Sequence, residues 1–461
     1  GGKVGEDAAY RVYSKGFDRQ AYPSPDGDGR SDAGDDWSQQ RAGFRFDWAP
    51  TARDSLTVHG DYYRGDLDNR SVYESGTFGA NGGYLLANWS RELSETSQIR
   101  LQAYYDGMKR GDPLADERRH TGDLEFQHDI QLWDRHQIAW GLNYRIVNDR
   151  IDGRLMNFRD PSETFDTIGF FVQDQISLFA NRVQLTLGSK FERNDFTGFE
   201  IQPSARLAYS PNEHHTLWAA VSRAVRTPSR AEDDMRLRLL LLPPAAAEIT
   251  GVDEFHSEEM LAYEAGYRST LRSNLTLDTT AFYFDYDELS SIETGVLYFD
   301  GIQPILPLPF SNQQGGHSYG AELEVTWQAL PRWRLGAGYS WFNLMLDPGP
   351  DSVDLLGETT EHSNPTHQVF LRSLVDLPRN FELDGMLYYV ENLAGQSNGG
   401  DPVGSYVRAD LRLGWRPTEA LELSLVGQNL LTSRHEEFGG GVVTSAVVVP
   451  RSFFAKLTWR Y

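Results

Sequence analysis

The last thirteen residues, Val449 to Tyr461, restrict the possible folds of this chain more than any other stretch. Phe453, Ala455, Leu457, Trp459 and Tyr461 fall on one face of an extended chain; Ser452, Phe454, Lys456, Thr458 and Arg460 fall on the other. Side chains of a strand alternate between two faces, so this period of two describes a strand with apolar material on one side and something wetter on the other. The run is about twice the usual length of a soluble strand. An unpaired apolar strand ending on an aromatic would also be an aggregation edge in water. A closed barrel in a membrane has no edge, because its last strand pairs with an early one. The C-terminus therefore predicts an all-β chain forming an antiparallel transmembrane β-barrel.

The same alternation recurs upstream in runs of about 11 to 16 residues, long enough to cross a bilayer at a tilt. Ala42, Phe44, Phe46 and Trp48 alternate with Arg41, Gly43, Arg45 and Asp47; Ile99, Leu101, Ala103 and Tyr105 alternate with Gln98, Arg100, Gln102, Tyr104 and Asp106. Trp333, Leu335, Ala337, Tyr339 and Trp341 alternate with Arg334, Gly336, Gly338 and Ser340. Aromatics gather near the ends of these runs, as in an interfacial girdle. The longest aliphatic run, Leu239 to Leu242, is far short of the roughly 20 residues a membrane helix needs. A net charge of -23 argues against nucleic-acid binding, which needs a basic surface, and the absence of cysteine excludes disulfides and thiolate chemistry.

Connections between the runs alternate in length. Tight ones fall at Pro50 to Arg53, Ser94-Glu95, Trp133 to Arg135, Ala180-Asn181, Pro211 to Glu213, Arg272-Ser273, Leu330-Pro331, Pro378-Arg379 and Pro417 to Glu419. Longer ones, rich in Gly, Pro, Asp and Ser, are Gln20 to Asp35, Asp68 to Gly76, Arg150 to Phe165, Ser229 to Ser257, Ile292 to Phe310, Asp347 to Asn364, Leu393 to Val403 and His435 to Ser445; two members of that outer set, Gly111 to Leu114 and Thr197-Gly198, are short. Short turns inside and long loops outside are the habit of outer-membrane barrels. About twenty strands are expected. Gly1 to Gly5 reads as the tail of an earlier strand, so a longer protein is expected upstream.

Between Phe199 and Arg230 the sequence resembles the mid-barrel of TonB-dependent outer-membrane receptors: Phe199-Glu200-Ile201-Gln202-Pro203-Ser204-Ala205-Arg206, then Leu217-Trp218 through Arg226-Thr227-Pro228-Ser229-Arg230. Tyr263-Glu264-Ala265-Gly266-Tyr267-Arg268, Ser318-Tyr319-Gly320-Ala321-Glu322-Leu323-Glu324 and Gly427-Gln428-Asn429-Leu430-Leu431 extend the likeness, which runs in order from Gly2 to Tyr461. The resemblance implies a 22-stranded barrel holding an N-terminal plug, with residues 1-461 forming the C-terminal barrel domain without that plug. It implies an outer-membrane location in a Gram-negative bacterium and contact with outer-membrane lipid and lipopolysaccharide. It also implies energy from the TonB protein and a metal-chelate ligand of the ferric siderophore, haem or cobalamin class. The chain ends Trp459-Arg460-Tyr461, where the family more often ends in Phe.

By the same resemblance Glu264 and Glu322, with Glu324 as a third, point into the lumen and meet plug arginines. Without a plug they would face water or turn to lumen cations such as Arg206 or Arg268. Buried carboxylates need such partners, whereas solvated lumen charges do not. The longest loop, Ser229 to Ser257, is the candidate for ligand capture, with Asp233, Asp234, Met235 and Arg236 as its functional run. Asp26, Asp28 and Asp32 have the alternating oxygen spacing of a calcium loop, but Trp37 stands where the twelfth-position Glu belongs, so a solvated acidic loop is the plainer reading. The histidines are read as exposed residues of turns and loop bases. No motif or Ser-His-Asp order assigns a catalytic site or a resident cofactor. The chain is read as a receptor that captures a chelate and performs no bond chemistry; the alternative is a passive channel with an open lumen.

Overall fold

The computed structural model describes residues 1–25, 32–70, 75–242, 245–354, 357–395, 400–441 and 446–460. It is a meander of long antiparallel strands. Four strands of its 25-stranded sheet lie within loops, and the other twenty-one follow one another from Gly2–Val4 and Ala8–Arg19 to Leu421–Gln428 and Ser452–Trp459. Wall strands such as Ser75–Ser94, His136–Gly153 and Leu275–Ile292 reach 18 to 20 residues. The expected tight connections all fall at turns on one end of the meander, and the long ones on the other. Several turns are built from residues in the left-handed region, including Trp133 with Asp134 and Arg379 with Asn380. At the short outer connection Gly198 (φ 78°) takes a backbone conformation that other residues adopt at a cost.

Register sorts the wall into two faces. Phe44 lies opposite Val12 and Gly60, and Leu101 opposite Trp89 and Phe126, all on one side. Gln102, between Asn88 and Glu125, lies on the other. The apolar side is the more exposed, as the convex side of a curved sheet must be: Leu101, Ala103 and Tyr105 are exposed while Gln102 and Tyr104 are half-buried. Apolar side chains on the convex surface and ion pairs on the concave one suit a sheet wrapped around water and surrounded by hydrocarbon.

The C-terminal strand is shorter than its period of two implies. Val447–Pro450 pairs instead with Arg434–Phe438 in an outer hairpin, and the wall strand is only Ser452–Trp459. Pro450 has no N–H to give a ladder, and the Arg451 N–H donates to the Ser433 carbonyl, so the chain changes partner there. Leu457 and Trp459 are 65% and 69% exposed, because among the described residues no strand pairs beyond this one. Tyr461 lies outside the described residues.

The buried apolar core sits in the loops. Met156–Phe158 pairs with Met235–Leu242, which pairs with Ala245–Thr250, which runs parallel to Ile305 through Pro309; Tyr298–Phe299 closes the other side. Thus three separate connections form one small mixed sheet, here termed the cap. Its Ala246, Ala247 and Ile305 are almost fully buried, with Met235, Leu239 and Phe255 close behind.

Candidate functional site

The cap is fastened to the wall by two arginines from the run Arg226-Thr227-Pro228-Ser229-Arg230. Arg226 ends the strand His215–Arg226 and gives paired hydrogen bonds to Glu258 (2.6 and 2.7 Å) and to Glu232 (2.6 and 3.1 Å). Glu232 belongs to the short helix Arg230–Asp234 and also accepts from the Ser229 N–H and hydroxyl. Burial opposes the charge on Glu232, but the Arg226 and Ser229 hydrogen bonds outweigh it and hold its carboxyl below the usual range.

Arg230 is buried. It donates to Asp149 at 2.6 Å, to Asp234 at 3.0 Å and to the Asp160 carbonyl at 2.6 Å, and pairs with Glu163 at 2.7 Å. Its guanidinium also stacks over the Phe158 ring. One cation thus joins the wall strands His136–Gly153 and Ser162–Leu178 to the long loop. Of the expected capture run, Asp234 and Met235 are buried in this joint. Asp233 is half-buried, and its pKa is raised first by burial and then by Asp234 and Asp253. Arg236 is exposed and has no ion pair among the described residues. A neighbouring ion pair, Arg159 with Asp253, spans the same two loops.

By register Glu264, Glu322, Glu324, Arg206 and Arg268 all share the concave face. Arg206 and Glu264 lie on one ladder row with Ala220 on the strand between them, yet the Arg206 guanidinium stacks on Trp218 at 5.1 Å. Arg268 pairs with Asp278. Neither turns to a glutamate: Glu264, Glu322 and Glu324 have no hydrogen bond or ion pair among the described residues. Near the tight-turn end a denser network stands out, unremarked in the sequence. Arg412 donates to Glu382 (2.9 Å), Asp384 (2.7 Å) and Glu422 (3.0 Å), and Glu422 also takes Arg460 at 3.1 Å.

The other motifs have local reasons. Asn429 is fully buried in the left-handed region (φ 53°), where its backbone N–H donates to the Asp410 carboxylate and its side-chain amide donates to the Val449 carbonyl, ending its strand. The histidines are not uniformly exposed. His215 bonds Tyr267 and Ser269, His367 bonds Tyr339, His120 bonds Tyr105, and His435 is packed against Tyr406. An imidazole near a membrane boundary needs a polar partner, and a cross-strand tyrosine supplies it. Asp26 and Asp28 lie outside the described residues, and Asp32 forms an isolated bridge with Pro23. Among the described residues no group of acids and histidines could hold a metal ion.

A long-stranded antiparallel sheet with an apolar convex face, a charged lumen and a folded cap at its long-loop end defines a membrane-spanning β-barrel of the receptor type. Residues 2–430 match the family model for the TonB dependent receptor-like beta-barrel, and the chain belongs to that family. Among curated proteins none matches by sequence. Among solved structures it is similar to the siderophore receptor PirA from Acinetobacter baumannii (TM-score 0.80, 13% identity, 100% of this chain and 76% of that one). It is also similar to the ferric enterobactin receptor PfeA from Pseudomonas aeruginosa (TM-score 0.78, 14% identity, 99% and 76%). A third similar structure is the ferric-catecholate import receptor Fiu from E. coli K12 (TM-score 0.74, 11% identity, 99% and 78%). The family and these structures are transport receptors rather than enzymes, of the outer membrane of Gram-negative bacteria.

Proposed function

We propose that this chain is the barrel of an outer-membrane receptor for energised uptake of a scarce metal chelate, with a ferric siderophore of the catecholate type as the leading ligand. The observation that carries this reading is the cap: three loops folded into one sheet at the long-loop end and held by the buried Arg230. A passive pore has no need of such a structure. A catecholate bound to ferric iron is anionic, and Arg236, exposed and without an ion pair among the described residues, suits it; Asp233 is the half-buried acid of the same run. Capture then depends on shape and a few fixed polar groups.

Glu264, Glu322 and Glu324 supply the complementary half. Three carboxylates without partners among the described residues offer a surface for cationic side chains of an N-terminal plug, through which the TonB protein would deliver energy. The test is uptake of ferric catecholate by iron-starved cells producing the full-length receptor. Uptake should stop when residues 235–250 are replaced by a short Gly-Ser linker, while the receptor remains in the outer membrane. Unchanged uptake would remove the cap from the mechanism. Uptake of haem or cobalamin alone would change the ligand class.

A further inference from the structure

One edge of the cap differs from the rest of the long-loop end. From Thr294 to Phe299 the chain reads Thr-Gly-Val-Leu-Tyr-Phe and carries no charge, in a protein where 24% of residues are charged. Val296 and Ile302 are 88% and 85% exposed, the highest values for large apolar side chains among the described residues, and Leu297 and Phe299 are exposed beside them. The lipid-facing wall does not account for this. The segment lies in the cap sheet, where Tyr298 and Phe299 pair with Ile305 and Pro304. Single exposed apolar residues are ordinary, but a contiguous group of them facing water marks a binding surface.

Local bonding holds the group out in a fixed shape. The Gly295 N–H donates to the Pro307 carbonyl while Tyr298 lies opposite Ile305, so three residues along one strand match two along the other. That bulge falls at Val296 and Leu297, and bulges re-aim the side chains they carry. At the tip the Asp300 carboxylate accepts the Ile302 and Gln303 N–H groups, both at 2.9 Å, and Gly301 takes a left-handed backbone (φ 95°). Asp300 also accepts from Arg238 of Met235–Leu242 at 3.0 Å, so the one carboxylate of the tip is used internally. A ridge of four side chains is small for a protein partner, since stable interfaces engage about 20–30 residues a side. It suits a hydrocarbon chain, which asks only for apolar contact. Arg236, exposed and without an ion pair among the described residues, belongs to the same sheet. Three strand spacings, about 14 Å, separate its strand from Tyr298–Phe299. One molecule with an anionic head and an apolar tail can reach both.

We propose that Val296, Leu297, Phe299 and Ile302 form a docking ridge for the hydrocarbon tail of an acylated ferric chelate whose anionic head meets Arg236. This rests on the reading of the chain as a chelate receptor and narrows the ligand to the amphiphilic class. The test uses the full-length receptor in lipid nanodiscs, titrated with a ferric tris-catecholate and with the same chelate carrying a dodecanoyl chain, binding being followed by quenching of tryptophan fluorescence. The native receptor should bind the acylated form about tenfold more tightly, the gain expected from burying about two methylene groups of the tail. The double variant V296S/I302S should bind both chelates with the affinity of the unacylated one. Both side chains are exposed, so their removal disturbs no packing, and unheated gel migration checks that the variant is folded. R236Q should weaken both chelates alike and keep the ratio between them; unchanged affinities in R236Q would overturn the proposal. Equal affinity of the native receptor for the two chelates would overturn it while leaving the receptor reading intact. So would a tail advantage that survives in V296S/I302S, which would put the tail in the bilayer. Binding of neither chelate would overturn the receptor reading and this proposal with it.

Discussion

Arg230 shows how much one side chain can carry. Replacing it with alanine leaves Asp149 and Asp234 buried without their cation, a change that costs about 3–5 kcal/mol in buried pairs. The expected result is loss of amide-exchange protection in Met235–Leu242 and Ala245–Thr250, with protection in Ser97–Gly111 unaltered. Glu232 adds a pH dependence of definite sign. Its folded pKa is lowered, so its contribution is fully present above the ordinary glutamate range and is lost as pH falls through the lower folded value. Protection factors in the cap, corrected for intrinsic exchange, should hold at neutral pH and fall only in that acidic window. The Arg230 joint could not be read from the sequence, because Asp149 and Arg230 are 81 positions apart and no local pattern links them. The run ending in Arg230 was visible as a motif, but nothing local showed which acids its two arginines meet.

At the scale of single strands, alternation was almost fully readable. Leu101 and Gln102 are neighbours in sequence and opposites in environment. Leu101→Arg should cost about 2–4 kcal/mol near mid-bilayer, and Gln102→Arg little. Urea titration of both variants refolded in lipid vesicles would show it; equal penalties would reverse inside and outside. Turns were legible because their chemistry is local, as at Trp133-Asp134. Partner choice was not, since Val447–Pro450 continues the period of Ser452–Trp459 and yet joins another hairpin. The loop Ser229 to Ser257 likewise gave no sign of its sheet, whose other strands come from residues 156–158 and 298–309. His120, His215, His367 and His435 escaped for the same reason: each meets a tyrosine from a different strand.

The molecule as a whole keeps its apolar surface outside, the reverse of a soluble protein. It should therefore refold in detergent or lipid and, unheated, migrate on a denaturing gel as a compact band distinct from the boiled chain. Folding to a monomer in detergent-free buffer would contradict the architecture. Fold class and face assignment came from composition-independent periodicity, which every wall strand repeats. Ligand chemistry did not, because it resides in loop pairings between distant segments. The cap's mixed ladder has an evolutionary corollary. Because the three outer segments are stitched edge to edge, a new specificity cannot be imported by grafting one of them from a cousin. The trio must travel together, and chimaeras exchanging only residues 235–250 should lose the parental ligand without acquiring the donor's.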